Sequence, residues 1–334
     1  MDTLSVTQKG TTITLDTETL LLTVEVGDAV WKTTCAPYVS YKCKEGKHKT
    51  ISLTEAGKVV TSRWKTGVGE GFITSFEGIP GTGMSLETIY WVDNCRGELF
   101  AELIPHNDPK DEWAGIVFPT AFEFSDKSTD CYTVVTRRQG GLLLNNRSYQ
   151  SADFHGQYYT NAAYMPWFGQ VCKRDAYICI GITPWDGGYL LQEKDDGTKE
   201  ISQYWIPSLG RISYRRTARY TFTNGDYNTL AKLYRQYARE TGLLVTLEEK
   251  AVRNPNVARL EGCAIVNAGI YQNISPDSHF YDKENPENNS KLHATFDQRA
   301  AQMRILKEKW GLDKVYFHMD GWGIDGYDSH HPDY

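Results

Sequence analysis

Hydrophobic and polar positions alternate over short runs in the first 225 residues, as they do in strands that bury one face. Runs rich in β-branched and aromatic residues recur at 11–15, 86–92 and 177–182, among other places. Turn-forming residues such as Gly27 and Asp28 separate them. No helical period interrupts this pattern, so we predict a β-sandwich domain over residues 1–225. This stretch is longer than an immunoglobulin domain of about 100 residues, which favours a large double-sheet sandwich.

The pattern changes to a helical one at Asp226. Apolar residues recur at helical spacing over residues 230–238, with Asp226 in the N-cap region and Gly242 just past the end. Thr246 and Glu249 have the spacing of a capping box, which predicts a second, short helix that ends before a proline. We therefore assign residues 226–258 to a helical connector.

The remaining chain, residues 259–334, alternates strand, helix and strand. A continuous apolar run at 264–270 is followed by a helix that Thr295 opens and Gly311 ends, and then by a second apolar run at 315–319. Such βαβ units belong to parallel sheets. A lone unit leaves both strand edges open and one face uncovered. We expect the first part of a (β/α)8 barrel, truncated in this sequence. A small domain packed against the sandwich is the alternative.

Composition excludes several classes of protein. Hydrophobic residues make up 40% and charged residues 23% of the 334 residues, which is ordinary for a folded domain and excludes a disordered chain. No apolar run reaches the roughly 18 residues of a membrane helix, so no membrane partner is expected. The net charge of −6, with scattered cations, argues against nucleic acid. The 13% of aromatic residues fits either a large β-rich core or a carbohydrate site.

The seven cysteines are irregularly spaced and include no Cys-x-x-Cys pair. This argues against a structural zinc site and a dithiol redox site, and we expect reduced thiols. The N-terminus lacks the pattern of a signal peptide, which predicts a cytoplasmic location; a secreted protein without its signal is left open. No cofactor is expected, and the oligomeric state is not predicted.

Candidate chemistry lies at the carboxyl ends of the two predicted parallel strands, where such folds bind ligands. The first strand is followed by a polar loop of more than twenty residues, 271–294, which we interpret as a lid or mobile segment. The second is followed by residues 320–333, with four aspartates, two histidines, a tryptophan and a tyrosine. Asp320 is interpreted as a hydroxyl acceptor or a structural cap, Trp322 as a stacking surface or a core residue, and His318 as a neighbouring donor or a structural residue.

Metal binding by this segment is a further alternative. Asp325, Asp328, His330 and His331 are suitable ligands in number and type. Their spacing matches neither a calcium loop nor the H-E-x-x-H zinc motif, so we predict no metal site. Asp328 is retained as a candidate substrate-binding residue.

Several segments carry a family resemblance. They are Leu-Ala-Lys-Leu-Tyr-Arg-Gln-Tyr at 230–237, Glu-Lys and Asn-Pro-x-Val within 249–257, Tyr-Phe-His-Met-Asp-Gly-Trp-Gly at 316–323 and Met-Pro-Trp-Phe-Gly at 165–169. With the order of domains, they make the chain resemble glycoside hydrolases related to families 101 and 129. Those are retaining α-N-acetylgalactosaminidases with a large, galactose-mutarotase-like supersandwich before a (β/α)8 barrel. The Asp-Gly-Trp at 320–322 also resembles the Asp-Asp-Gly-Trp of α-galactosidase barrels, where that position binds sugar hydroxyls.

The resemblance implies a retaining glycoside hydrolase acting on α-linked galacto-configured sugars, either α-N-acetylgalactosaminides or α-galactosides, within an oligosaccharide or glycoconjugate. It implies that both catalytic carboxylates lie beyond residue 334, so no catalytic residue is assigned. Asp320, His318 and Trp322 become sugar-binding residues, and Trp167 is expected on a sandwich loop that reaches the barrel mouth. The alternatives are a noncatalytic carbohydrate-binding protein that uses the aromatic-rich sandwich, and a metal-dependent hydrolase.

Overall fold

The chain folds into two compact units, Met1–Thr241 and Gly242–Tyr334. A computed structural model describes residues 2–42, 48–82, 84–106, 113–149, 154–207, 212–278 and 281–323. No helix among these residues is both long and apolar enough to cross a membrane. Each unit has its own sheets.

The first unit consists mainly of strands, as the alternation predicts. In chain order they are β1 (Thr3–Gln8), β2 (Thr11–Asp16), β3 (Leu22–Val26), β4 (Ala29–Lys32), β5 (Tyr38–Lys42), β6 (His48–Ser52), β7 (Lys58–Lys65), β8 (Gly69–Glu77), β9 (Leu86–Asp93), β10 (Leu99–Pro105), β11 (Trp113–Val117), β12 (Cys131–Val135), β13 (Gly141–Leu144), β14 (Phe154–Gln157), β15 (Trp167–Cys172), β16 (Asp175–Gly181), β17 (Gly187–Glu193), β18 (Lys199–Trp205) and β19 (Arg216–Asn224). One short 3-10 helix, Leu53–Glu55, joins β6 to β7.

These strands form three antiparallel sheets around one core. The large sheet has the order β13-β12-β15-β16-β19-β10-β9-β8-β7, the second has the order β14-β17-β18-β11-β5-β6, and the third is the meander β1-β2-β3-β4. A single cluster of buried side chains draws on all three, for example Ile13 from the meander, Tyr177 from the large sheet and Trp205 from the second. The predicted large β-sandwich is therefore confirmed.

Many aromatic residues lie in this core. Trp31, Phe122, Tyr177, Tyr220 and Phe222 form a continuous set of ring contacts with centroids 5.1–6.4 Å apart. Aromatic side chains bury a large apolar area in such edge-on and stacked arrangements. The high aromatic content thus has a structural explanation. Phe122 itself lies outside the named strands and pairs with Thr33 in an isolated bridge.

Helix α1 (Tyr227–Glu240) packs on the outer face of the large sheet. Asp226 caps it by accepting hydrogen bonds from the amides of Asn228 and Thr229, and Gly242 follows its C-cap with a φ of +75°. Leu230 and Tyr237 are buried against β15 and β16 in a second hydrophobic cluster. The compact unit accordingly extends to residue 241, whereas the sequence assigned this helix to a connector.

Two cysteines are paired, against expectation. Cys131 on β12 and Cys172 on β15 are register partners with a Cα–Cα distance of 4.0 Å, and their sulfurs form a disulfide. This spacing is that of a non-hydrogen-bonded pair in an antiparallel ladder, where facing side chains are closest. The prediction of reduced thiols is wrong for this pair. The spacing of cysteines along the sequence does not show which distant strands become neighbours in a sheet.

The second unit contains the predicted βαβ arrangement. Its elements are α2 (Leu247–Arg253), a 3-10 helix (Pro255–Leu260), β20 (Ala264–Gly269), β21 (Tyr271–Asn273), a 3-10 helix (Pro286–Asn289), β22 (Ser290–Leu292), α3 (Phe296–Trp310) and β23 (Val315–Asp320). Strands β20 and β23 are parallel. Thr246 forms the predicted capping box, Thr295 opens α3 as predicted and also forms a capping box, and Gly311 ends α3 with a φ of +63°. The complete barrel remains a prediction.

The described residues of 271–294 include two short strands and a 3-10 helix, whereas the sequence suggests a lid or mobile segment. Strands β21 and β22 pair as a short antiparallel ladder. Between them, the Asp282 carboxylate accepts hydrogen bonds from the amides of Glu284 and Asn285 and from the side chain of Asn288. The bond from Asn288 and the bonds from these amides lower the pKa of Asp282. Local side-chain bonding of this kind stabilises turns that carry little hydrophobic pattern.

Candidate functional site

The candidate site lies at the carboxyl ends of β20 and β23. The parallel register places Asn267 beside His318 and Gly269 beside Asp320. The Nε2 atom of His318 is 3.3 Å from Oδ1 of Asp320. Alternation along the strand predicts that these two side chains share one face. In the structure they form an imidazole–carboxylate pair that is open to solvent.

The strand face that bears this pair changes in polarity along its length. At the amino end it carries Ile265 and Tyr316, which are 75% and 48% exposed. At the carboxyl end it carries Asn267, His318 and Asp320. Positions on the opposite face are all half-buried, namely 264, 266, 268, 315, 317 and 319. One face of the two paired strands is thus partly covered. The opposite face is apolar and exposed near the amino ends and polar near the carboxyl ends.

Helix α3 is anchored at the same strand ends. The Arg299 guanidinium donates from Nε to the Gly269 carbonyl oxygen at 3.1 Å, with a second bond from Nη2, and from Nη1 to Gln302 at 2.8 Å. These bonds give the Gly269 carbonyl oxygen, at the end of β20, side-chain donors. Arg299 was missed by the sequence reasoning, because an arginine in a helix gives no signal of a contact with a strand terminus.

Gly321 holds the chain close to the end of β20. The Ile270 amide donates to the Asp320 carbonyl at 2.8 Å, and the Tyr271 amide donates to the Gly321 carbonyl at 3.1 Å. Gly321 has a φ of +60°, and a Cβ there would overlap the Tyr271 carbonyl oxygen. Only glycine meets both requirements. The following Trp322 is about half exposed, beside the imidazole–carboxylate pair in sequence.

His293 and Gln272 are further polar side chains at this edge that the sequence reasoning did not single out. Nε2 of His293 lies 3.3 Å from Oε1 of Gln272, and the His293 amide donates to the Ile270 carbonyl at 2.8 Å. They come from the β21–β22 hairpin, within the segment predicted to cover the site. The hairpin therefore contributes side chains to the edge that bears Asp320.

Similarity to known proteins comes from solved structures. No protein-family model and no curated protein sequence matches the chain. The α-N-acetylgalactosaminidase NagBb from Bifidobacterium bifidum, solved with Gal-NHAc-DNJ, matches with a TM-score of 0.83 and 33% identity over 99% of this chain and 53% of that one. The same enzyme solved with GalNAc matches with a TM-score of 0.83 and 33% identity, over 99% and 54%. This chain spans about half the length of that enzyme.

The similarity supports the glycoside hydrolase part of the resemblance. It extends over both units, because 99% of this chain is covered. It brings no evidence for family 101. The structure of the α-galactosidase AgaB from Geobacillus stearothermophilus also matches, with 9% identity and a TM-score of 0.44 over 70% of this chain and 41% of that one. At that distance it carries no argument.

Trp167 does not lie on a loop. It is the first residue of β15, is 5% exposed and stacks on Tyr234 of α1, with ring centroids 6.0 Å apart. Docking of α1 on the large sheet buries it, and the sequence could not show which sheet face the helix covers. In this position the ring has a packing role, and it is not available to a ligand.

The remaining candidates lie outside the described residues. These are Asp328 and the proposed metal ligands Asp325, His330 and His331. In the described part of the chain, one group has metal-ligand spacing: Asp126 with the sulfurs of Cys131 and Cys172. Those sulfurs are bonded to each other, so the Asp126 carboxylate is the one possible metal ligand that remains in this group.

Proposed function

We propose that this chain forms the sandwich and the beginning of the catalytic barrel of a glycoside hydrolase that acts on α-linked galacto-configured sugars. The observation that carries the proposal is the match of both units to an α-N-acetylgalactosaminidase that has been solved with GalNAc. An α-N-acetylgalactosaminide is the first substrate to test, and an α-galactoside is the second. A retaining double displacement through a covalent glycosyl-enzyme is part of the proposal.

The polarity of the β20–β23 face supports a barrel. In a (β/α)8 barrel the helices cover the outer face of the strands, the inner face is filled by branched and aromatic residues, and the site lies at the carboxyl ends. In such a barrel Ile265 and Tyr316 would lie on the inner face toward the amino ends, and Asn267, His318 and Asp320 would lie on it at the carboxyl ends. The apolar pair is of the type that fills a barrel interior, and the polar set is of the type that binds a ligand at the carboxyl ends.

Asp320 is proposed to accept hydrogen bonds from hydroxyls of the sugar being cleaved. A carboxylate that binds hydroxyls makes charge-assisted hydrogen bonds, the stronger class. His318, 3.3 Å away, orients this carboxylate or donates to the same sugar, and Trp322 provides an apolar surface for a sugar face. Retaining hydrolysis needs two carboxyl groups about 5–5.5 Å apart, and we assign neither of them to residues 1–334.

The test uses the complete gene product. Hydrolysis of aryl α-N-acetylgalactosaminides and α-galactosides is measured by release of the phenol, and proton NMR identifies the anomer formed first. Asp320→Asn should lower kcat/KM at least tenfold, roughly the value of one charged hydrogen bond. Asp313→Asn, the same change at an exposed position before β23, is the matched control. A folded complete protein that hydrolyses no aryl glycoside, or an Asp320→Asn variant with wild-type kcat/KM, would contradict the proposal.

A further inference from the structure

Two cysteines and an aspartate come together at one end of the large sheet. Cys131 begins β12 and Cys172 ends β15, and they are register partners although they lie 41 positions apart in the sequence. Asp126 precedes β12, and an oxygen of its carboxylate and the two sulfurs all lie within 4.8 Å of one another. We call these three residues the Cys–Asp cluster. Its ligand atoms are close enough to share one metal ion once the sulfurs are no longer bonded to each other.

The backbone around the Cys–Asp cluster is fixed without the disulfide. The buried Asn145 side chain donates from Nδ2 to the Asp126 carbonyl oxygen at 2.7 Å. Lys173 and Arg174, with φ values of +50° and +82°, form the two-residue turn that follows Cys172. Hairpin turns of two residues with positive φ match the twist of antiparallel strands. Opening the disulfide therefore leaves the residues of the cluster in place.

The Cys–Asp cluster is reached from solvent through a depression of about 280 Å³. Cys172 and Asp126 both line it. Among the described lining residues, the carboxylates of Glu123, Asp126 and Asp175 outnumber the single ammonium group of Lys173. Asp175 is also the register partner of Cys172 on β16. An excess of negative charge in a concave surface favours the approach of a cation.

One oxygen of Asp126 can exchange its partner. Oδ1 accepts a hydrogen bond from the Ser128 amide at 2.8 Å, which belongs to the turn before β12. Oδ2 is in an ion pair with Nζ of Lys173, whose side chain is 60% exposed. Exposed ion pairs contribute little stability. A metal cation can therefore replace the lysine at Oδ2 while the bond to Ser128 is kept.

Reduction converts the disulfide into two ligands. Two equivalents of a thiol reductant end as a disulfide, and Cys131 and Cys172 end as thiols. A zinc ion that binds both sulfurs then displaces one proton from each. Tetrahedral zinc with Zn–S bonds of about 2.3 Å holds two sulfurs about 3.8 Å apart. Facing residues of antiparallel strands have Cβ atoms about 4.5–5.5 Å apart, so rotation of the two side chains is enough to reach this geometry.

We propose that the reduced Cys–Asp cluster binds one zinc ion, with the Cys131 and Cys172 thiolates and Oδ2 of Asp126 as ligands and water in the fourth position. Thiolates select zinc over magnesium and calcium, and a carboxylate oxygen is an ordinary zinc ligand. The same two cysteines then join β12 to β15 in both oxidation states, through a disulfide or through zinc. This inference does not depend on the proposed hydrolase activity.

Zinc titration of the reduced 334-residue chain tests the proposal. The disulfide is reduced with a phosphine, which becomes its oxide with oxygen from water, and the phosphine is removed in the absence of air. Competition with a chromophoric chelator should give one bound Zn²⁺ with a Kd of about 1 µM or below. Co²⁺ in place of Zn²⁺ should show a sulfur-to-metal charge-transfer band. The chain that keeps its disulfide should bind Zn²⁺ at least 100-fold more weakly, because it offers no thiolate pair.

Variants identify the ligands. Cys172→Ser should weaken zinc binding at least 100-fold, and Asp126→Asn, which keeps an oxygen for Ser128, should weaken it tenfold or more. The matched controls are Cys95→Ser, at an exposed free cysteine, and Asp130→Asn, at an exposed aspartate. Both should leave the affinity unchanged. Circular dichroism monitors folding, and Asp126→Asn, which retains both cysteines, keeps the test valid if Cys172→Ser unfolds.

Each contrary result overturns a defined part of the proposal. A reduced, folded chain that binds no Zn²⁺ would remove the site. Equal binding by the disulfide form, or by Cys172→Ser, would assign the zinc to other residues and refute the cluster as its site. Unchanged affinity in Asp126→Asn would remove the carboxylate from the set of ligands.

Discussion

Replacing Gly321 by alanine should open the strand ends that carry the candidate site. The left-handed backbone at Gly321 costs an L-residue about 1–2 kcal/mol. The added Cβ would also overlap the Tyr271 carbonyl oxygen, which is backbone and cannot rotate away. Relief requires the chain to move from β20, which breaks the hydrogen bonds of the Ile270 and Tyr271 amides, about 1 kcal/mol each.

Gly311→Ala is the matched control for this prediction. Gly311 has a φ of +63°, close to the +60° of Gly321, but a Cβ there meets nothing within 4 Å. The Gly311→Ala variant has only the conformational cost, so the free energy of opening the strand ends should differ between the two variants by about 2 kcal/mol. That corresponds to about 30-fold in the opening equilibrium.

Native-state hydrogen exchange of the Ile270 and Tyr271 amides measures this difference directly. Exchange should be about 30-fold faster in Gly321→Ala than in Gly311→Ala. Thermal unfolding of the sandwich unit should be the same in both variants, because neither substitution lies in it. Equal exchange rates in the two variants would show that the close approach to Tyr271 does not hold the strand ends together.

Three further predictions concern the sandwich unit. Leu230→Ala should lower the free energy of unfolding by about 2–5 kcal/mol, because the fully buried side chain fills the space between α1 and the large sheet. The disulfide between Cys131 and Cys172 spans 41 residues and should add up to about 4 kcal/mol by restricting the unfolded chain; denaturant unfolding with and without reductant measures it. Hydrogen bonds from Arg96 and then Gln236 lower the pKa of Glu240 to about 2. These contacts therefore stabilise α1 above about pH 4.5 and are lost as the pH falls toward 2, and Arg96→Gln should weaken this dependence in the exchange of the α1 amides.

Specific results would refute each of these. Leu142→Ala, at a 43% exposed position in the same unit, should change the unfolding free energy little, and a loss equal to that of Leu230→Ala would exclude a cavity effect. Alkylation of Cys131 and Cys172 before reduction would exclude the disulfide. An acid-range profile that is identical in the wild type and Arg96→Gln would exclude the Glu240 contact as its cause.

The features that could be predicted from the sequence are local. The caps at Asp226, Thr246 and Thr295 depend on residues three positions apart or fewer, and their side chains form the expected bonds. The parallel pairing of β20 with β23 follows from one helix between two apolar runs. The proximity of His318 and Asp320 follows from a period of two along a strand.

The features that could not be predicted depend on long-range contacts. The Cys131–Cys172 pair requires the register of β12 against β15, and the burial of Trp167 requires the docking of α1. Arg299 reaches Gly269 across thirty residues, in a contact that a helical pattern does not indicate.

The surroundings of Asp320 favour ligand binding over structural capping, the two interpretations that its sequence left open. Where an aspartate caps in this protein, its carboxylate accepts backbone amides, as Asp226 and Asp282 do. At the end of β23 the backbone amides donate to carbonyl oxygens instead, and Arg299 satisfies the neighbouring strand end. Among the described residues, the contact of the Asp320 carboxylate is with the exposed His318. Hydrogen bonds between backbone groups and from Arg299 thus hold the fold at this edge. The oxygens of the Asp320 carboxylate can then accept hydrogen bonds from hydroxyl groups.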